Sequence, residues 1–60
     1  MKTGDKYIFT DDSKQYSLIY LGKNEFQGVL FCMFEEDGKK GGGGLLFYPS
    51  EIDDRFEKVS

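Results

Sequence analysis

The sequence predicts an all-β fold: five antiparallel strands, with one short helical (3₁₀) turn before the last. Three observations predict it. Short apolar and aromatic runs recur along the 60 residues, each bounded by turn-forming residues. No segment carries apolar residues at the three-and-four spacing of an amphipathic helix over ten residues. A proline followed by serine and acidic residues, Pro49-Ser50-Glu51-Ile52-Asp53, marks one helical turn ahead of a final short strand.

Each element follows in order. Tyr7-Ile8-Phe9 reads as the first strand, between the turn signals Gly4-Asp5 and Asp11-Asp12-Ser13. Residues 16–21 are rich in aromatic and branched side chains and form the second, ended by Gly22. Lys23-Asn24-Glu25-Phe26-Gln27 reads as a connecting turn. Gly28 opens the third and most apolar strand, residues 29–34. A polar, glycine-rich stretch runs to Gly44. Leu45-Leu46-Phe47-Tyr48 is the fourth strand, and Pro49 stops it because proline donates nothing to a ladder. Ser50 then reads as an N-cap, with Asp53 three residues on completing a capping box. Residues 56–59 close the fold as the fifth strand.

Strand, strand, strand, strand, helical turn, short strand: this order resembles the SH3-like small barrels, the broad group that includes SH3, Tudor and KOW modules. Gly4-Asp5-Lys6-Tyr7-Ile8-Phe9 and Pro49-Ser50-Glu51-Ile52-Asp53 carry the resemblance, which covers most of the chain at the level of fold order. It implies one five-stranded SH3-like barrel over residues 1–60. The chain has no ALYDY-type motif and no tryptophan, so proline-rich peptide binding is not implied. It shows no aromatic cage of the Tudor kind.

Size and composition limit the chemistry. A chain this short buries only about 60 % of the surface its unfolded form exposes, and natural chains of this size often add disulfides, a metal or a partner chain. One cysteine and no histidine exclude an internal disulfide and a Cys/His zinc site. The remaining routes are oligomerisation and burial of the ten aromatics, six Phe and four Tyr. Eight basic and eleven acidic side chains give a net charge of −3. That opposes a phosphate backbone, which needs clustered Lys and Arg. The opening Met1-Lys2-Thr3-Gly4-Asp5 is not an apolar leader, and no apolar run approaches the roughly 20 residues that span a bilayer. A free thiol fits a reducing compartment, so the expectation is a cytoplasmic protein with no membrane contact and no cofactor.

The two-residue period gives the most specific expectation. Tyr16, Leu18 and Tyr20 alternate with Ser17, Ile19 and Leu21. Val29, Phe31 and Met33 alternate with Leu30, Cys32 and Phe34. Leu45 and Phe47 alternate with Leu46 and Tyr48. Three strands are thus apolar on both faces, whereas a sheet with one solvated face alternates cleanly. Sixty residues hold no second layer for the second face. Either tight curvature brings both parities into one core, or a second copy or another protein covers the surplus.

The other candidate features weigh against catalysis. Gly38-Lys39-Lys40-Gly41-Gly42-Gly43-Gly44 lacks the Gly-Lys-Ser/Thr of a phosphate loop and reads as a flexible hairpin connection. Cys32, in the most apolar strand with no histidine to activate it, reads as buried and structural. A small barrel offers little concave volume for a paired-carboxylate site. Tyr7, Phe9, Tyr16 and Tyr20 would suit base stacking but are needed as core. Asp11-Asp12, Glu35-Glu36-Asp37 and Glu51-Asp53-Asp54-Glu57 are acidic clusters that maintain solubility or imitate a phosphate backbone. The leading expectation is therefore a small acidic, non-enzymatic protein-binding module. By analogy of size and charge it is of the kind that phages and mobile elements use to inhibit a host nucleic-acid-handling or defence protein by steric and electrostatic occlusion. A nucleic-acid-binding barrel and a structural subunit of a homo-oligomer are the alternatives. The residues expected to meet the partner are Tyr16, Tyr20, Phe26, Glu35, Glu36, Asp37, Tyr48, Asp53 and Asp54.

Overall fold

The computed structural model describes residues 1–38 and 44–59. They form one antiparallel sheet of five strands: β1 (Lys6–Asp11), β2 (Lys14–Phe26), β3 (Val29–Glu36), β4 (Gly44–Phe47) and β5 (Phe56–Lys58). A single 3₁₀ turn, Pro49–Glu51, precedes β5. The order across the sheet is β4-β3-β2-β1-β5. The first four strands are a meander, and the chain then returns to lay β5 beside β1.

The five antiparallel strands and single 3₁₀ turn agree with the expected all-β fold, and the sheet does not close on itself as a barrel would. β4 and β5 are its two edges. They have four and three residues, and Pro49 ends the possible extension of β4. Side chains rather than a ladder bring these edges together: Phe47 and Phe56 meet edge to face at 5.2 Å between ring centres.

Two-residue turns join the long strands. Asp12 (φ 48°) and Ser13 (φ 67°) connect β1 to β2, and Gln27 (φ 51°) and Gly28 (φ 79°) connect β2 to β3. Positive φ at both central residues is what a type I′ hairpin turn requires. The second turn corrects the sequence reading. Residues 23–26, expected as a connection, continue β2 and pair with β3, and only Gln27-Gly28 turn. Gly22 does not end the strand either. The ladder slips by one residue between Tyr20 and Gly22, a β-bulge in which Leu21 is the extra residue. Gly22 takes φ 127° there, a value that side chains resist. Gly44, expected in the flexible loop, instead pairs with Glu35 as the first residue of β4. Gly38 closes the turn after β3 at φ 90°. Lys39, Lys40, Gly41, Gly42 and Gly43 lie outside the described residues.

The helical turn begins two residues earlier than the capping signal suggests. Tyr48 holds the N-cap position and Pro49 the first helical one. Proline suits that place because its missing N–H would have no helical partner. Glu51, not Asp53, reaches back: its carboxylate accepts the Tyr48 N–H at 2.8 Å. Asp53 instead organises the next turn. Its carboxylate accepts the Arg55 N–H at 3.0 Å and Nε at 2.9 Å, and its carbonyl accepts the Phe56 N–H at 3.0 Å.

Tyr7, Phe9, Leu18, Tyr20, Cys32 and Phe34 form the core, with Tyr16, Phe47, Ile52 and Phe56 packed against it. The strand residues among them all come from one side of the sheet, and Ile52, just after the 3₁₀ turn, packs onto that side. No helix among the described residues is long and apolar enough to cross a membrane.

Candidate functional site

Directly opposed residues of an antiparallel pair project from the same face, so the register assigns every strand residue to a side. Phe26 opposes Val29, Asn24 opposes Phe31, and Met33 opposes both Gly22 and Leu46. None of these belongs to the core. Tyr48, one residue beyond β4, stacks on Phe31 at 5.1 Å with the rings 30° apart. Phe26, Val29, Phe31, Met33, Leu46 and Tyr48 thus share the outer face of β2, β3 and β4. Phe26 is 67 % exposed, Leu46 60 %, Tyr48 51 % and Val29 41 %. Phe31 and Met33 are half-buried between them. A shallow hollow of about 260 Å3, lined by Asn24, Phe26, Phe31, Met33 and Leu46, sits in this surface.

The bulge at Leu21 creates this patch. Strict alternation from Tyr20 would put Phe26 on the core side. The extra residue reverses the parity, so Phe26 faces outward beside Val29, while Lys23 and Glu25 pass to the core side opposite Cys32 and Leu30. Among the described residues no charged side chain stands between these six. Towards β1 the same face becomes polar. Glu35 opposes Ile19, and Lys6 Nζ pairs with Asp37 at 3.4 Å. Ser17 Oγ also donates to Asp37, at 3.5 Å.

The other side of the sheet carries a different feature. An open cleft of about 410 Å3 lies over the end of the core, lined by Phe9, Asp11, Tyr16, Leu45, Phe47, Glu51 and Arg55. It is larger than the expected scarcity of concave volume allowed, because the unpaired edges β4 and β5 leave it unfilled. The Arg55 guanidinium lies over the Phe9 ring, 5.4 Å from its centre. Two Asp53 oxygens hold its Nε at 2.9 and 3.2 Å, and the Glu51 carbonyl accepts from Nη2 at 3.3 Å. The hydrogen bonds from Arg55 hold the Asp53 carboxyl below its ordinary value, and Asp53 in turn raises Arg55.

The structure distributes the expected partner-meeting residues unevenly. Phe26 and Tyr48 lie in the apolar patch. Tyr20 is core, 3 % exposed, and presents nothing to a partner. Burial of its phenol pushes its pKa up. Tyr16 is half-buried, stacked on Phe9 at 6.2 Å in the cleft. Asp53 is engaged by Arg55, and Asp54 is exposed in the same turn. Glu35, Glu36 and Asp37 end β3 near the polar part of the outer face, Glu36 partly buried opposite Leu18. These acids are therefore dispersed: Asp53 and Asp54 in the turn before β5, Glu36 on the core side of β3, and Glu35 and Asp37 at the polar end of the outer face. The aromatic platform weighed for nucleic-acid stacking is not on the surface: Tyr7, Phe9 and Tyr20 are all buried. Cys32 is buried and free. Among the described residues no three acids or cysteines gather in a metal-holding group.

Sequence reasoning did not select Val29, Phe31, Met33 and Leu46 as contact residues. Their signal was present, since the alternation already set them opposite the core series. The cleft residues Asp11, Glu51 and Arg55 had no local signal, because only the return of β5 to β1 brings them together. Compared with models of known protein families, with curated proteins and with solved structures, the chain finds no match.

Proposed function

We propose that this chain is a small, acidic, non-enzymatic protein-binding module, an SH3-like domain by its order of strands, that works by contact through the outer face of β2, β3 and β4. One observation carries the reading: six apolar side chains stand together on that face, outside the core, with no charge among them. Exposed apolar surface of this kind, rimmed by polar residues, is what protein interfaces are made of. A module of this kind acts by occlusion: it covers a partner's surface, and its acidic groups repel competing anions. Within that reading, a basic site on a nucleic-acid-handling protein is the kind of target that the net charge of −3 favours. The burial of Tyr7, Phe9 and Tyr20 gives the nucleic-acid alternative no support.

Affinity capture from cells that hold the natural partner tests the reading. Wild-type protein retains a specific protein, and the double substitution Phe26→Ser with Leu46→Ser releases it. Asp54→Asn, on the exposed turn before β5, retains it. Identical capture by the wild type and the double variant contradicts the proposal.

A further inference from the structure

We infer that the occupant of the outer face is a second copy of this chain, packed face to face about a two-fold axis; the inference rests on the docking role proposed for that face. Three observations support it. The first is area. With about 150–250 Å2 for a whole aromatic side chain, Phe26 and Tyr48 alone leave roughly 240 Å2 in water. Leu46, Val29, Phe31 and Met33 bring the face to roughly 400–500 Å2, within the roughly 300–600 Å2 of the largest, often functional, patch on a monomer. Two such faces together reach roughly 800–1,000 Å2, and the polar rim brings the total to the roughly 1,000 Å2 that a specific interface needs.

The second is charge. Each copy carries −3, so self-association requires that the acids stand away from the contact. Most do: Asp11 and Glu51 line the cleft on the opposite side of the sheet, with Asp53 bound to the cleft's Arg55. On the outer side, Asp37 is tied to Lys6, and Glu35, two residues beyond Met33 and opposite Ile19, stands at the polar border of the patch. A second apolar face meets the six apolar side chains without stranding a charge among them.

The third is shape. A two-fold interface brings one patch against itself, so a projection and a hollow must both lie on it. Phe26, the most exposed side chain of the face at 67 %, lines the hollow together with Asn24, Phe31, Met33 and Leu46. The two-fold operator sets each Phe26 against the other copy's hollow. Two sheets facing each other about 10 Å apart make a sandwich, and the second copy becomes the missing second layer. The two acidic clefts then face outward on opposite sides of the dimer.

Sedimentation equilibrium from about 1 μM to about 1 mM tests the inference. The wild type is expected to pass from one to two chain masses over this range. Phe26→Ser and Leu46→Ser, both at exposed positions and so harmless to the core, are each expected to raise the dissociation constant about tenfold or more. Asp54→Asn leaves it unchanged. A single-chain mass throughout overturns the second-copy inference, while the docking role remains to be judged by capture of a different protein. A dimer indifferent to both substitutions also overturns it, because its interface then lies elsewhere.

Discussion

At Phe34 four other rings converge: Tyr20 at 5.2 Å, Phe47 and Phe56 at 5.5 Å each, and Tyr7 at 6.3 Å. The side chain has no exposed surface. Truncating a buried phenylalanine costs about 3–5 kcal/mol, through lost transfer energy and the cavity left behind. At about 0.05–0.15 kcal/mol per residue, a domain of this size holds only about 3–9 kcal/mol in all. Phe34→Ala is therefore expected to leave the chain largely unfolded at 25 °C, seen as loss of aromatic circular dichroism. Retention of a cooperative urea transition near the wild-type midpoint would contradict this centre of packing. Asp53 gives a milder test. Its carboxyl is held below 3.8 by Arg55, so the folded state binds a proton less readily than the unfolded one. The stabilisation is complete above pH 3.8 and disappears as pH falls through the lowered value. Asp53→Asn should flatten the acid side of the plot of unfolding temperature against pH, and an unchanged slope would remove the role given to the Arg55 hydrogen bonds. At this scale the sequence was informative wherever identity alone decides burial. The apolar setting of Cys32 and the shortage of other core-filling side chains point to burial of Cys32, Tyr7 and Phe9, and all three are core. The alternation of residues 16–21 suits Tyr20 to core and to contact alike, and at 3 % exposure it is core.

Elements were legible in number and order, less so in extent. The tight turns explain part of this. Asp12-Ser13 was marked by composition, but Gln27-Gly28 was hidden because Lys23-Asn24-Glu25 looks like a loop. Those polar residues are strand residues beyond a bulge, on the open rim where polar side chains reach water. No local pattern announces a bulge except Gly22 itself, whose positive φ shows only in the fold. Gly22→Ala should therefore destabilise by about 1–3 kcal/mol, the usual cost of forcing a side chain into a sparsely populated backbone region. A change of a few tenths would mean that the bulge is not built on this glycine. Ser13→Gly should act in the opposite direction, because glycine takes φ 67° without strain. A gain of about 0.5–1 kcal/mol raises the unfolding temperature by roughly 2–8 °C in a domain this small. A lower unfolding temperature for this variant would speak against the type I′ geometry. The helical turn was expected in the right place, but proline at its first position outweighed serine as the start signal.

For the whole molecule, the alternation of apolar residues on both sides of three strands was the most useful signal. It posed two outcomes, and the structure divides them by position. Tight packing across the core side accounts for Tyr16, Leu18, Tyr20, Cys32, Phe34 and Phe47. Curvature does not reach Phe26, Val29, Phe31, Met33, Leu46 and Tyr48, which remain outside. The cleft was illegible because its lining is drawn from β1, β2, β4, the helical turn and the turn before β5, joined only by topology. The central claim is that the outer face is covered in the working protein while the core face is closed within one chain. Thiol labelling of Val29→Cys tests both halves at once, since Cys32 supplies an internal buried reference. The new thiol is expected to react quickly in dilute protein and to be increasingly protected as concentration rises, while Cys32 stays unreactive until the chain unfolds. A labelling rate at position 29 that is independent of concentration, or Cys32 reacting as fast as the introduced thiol in folded protein, would contradict it.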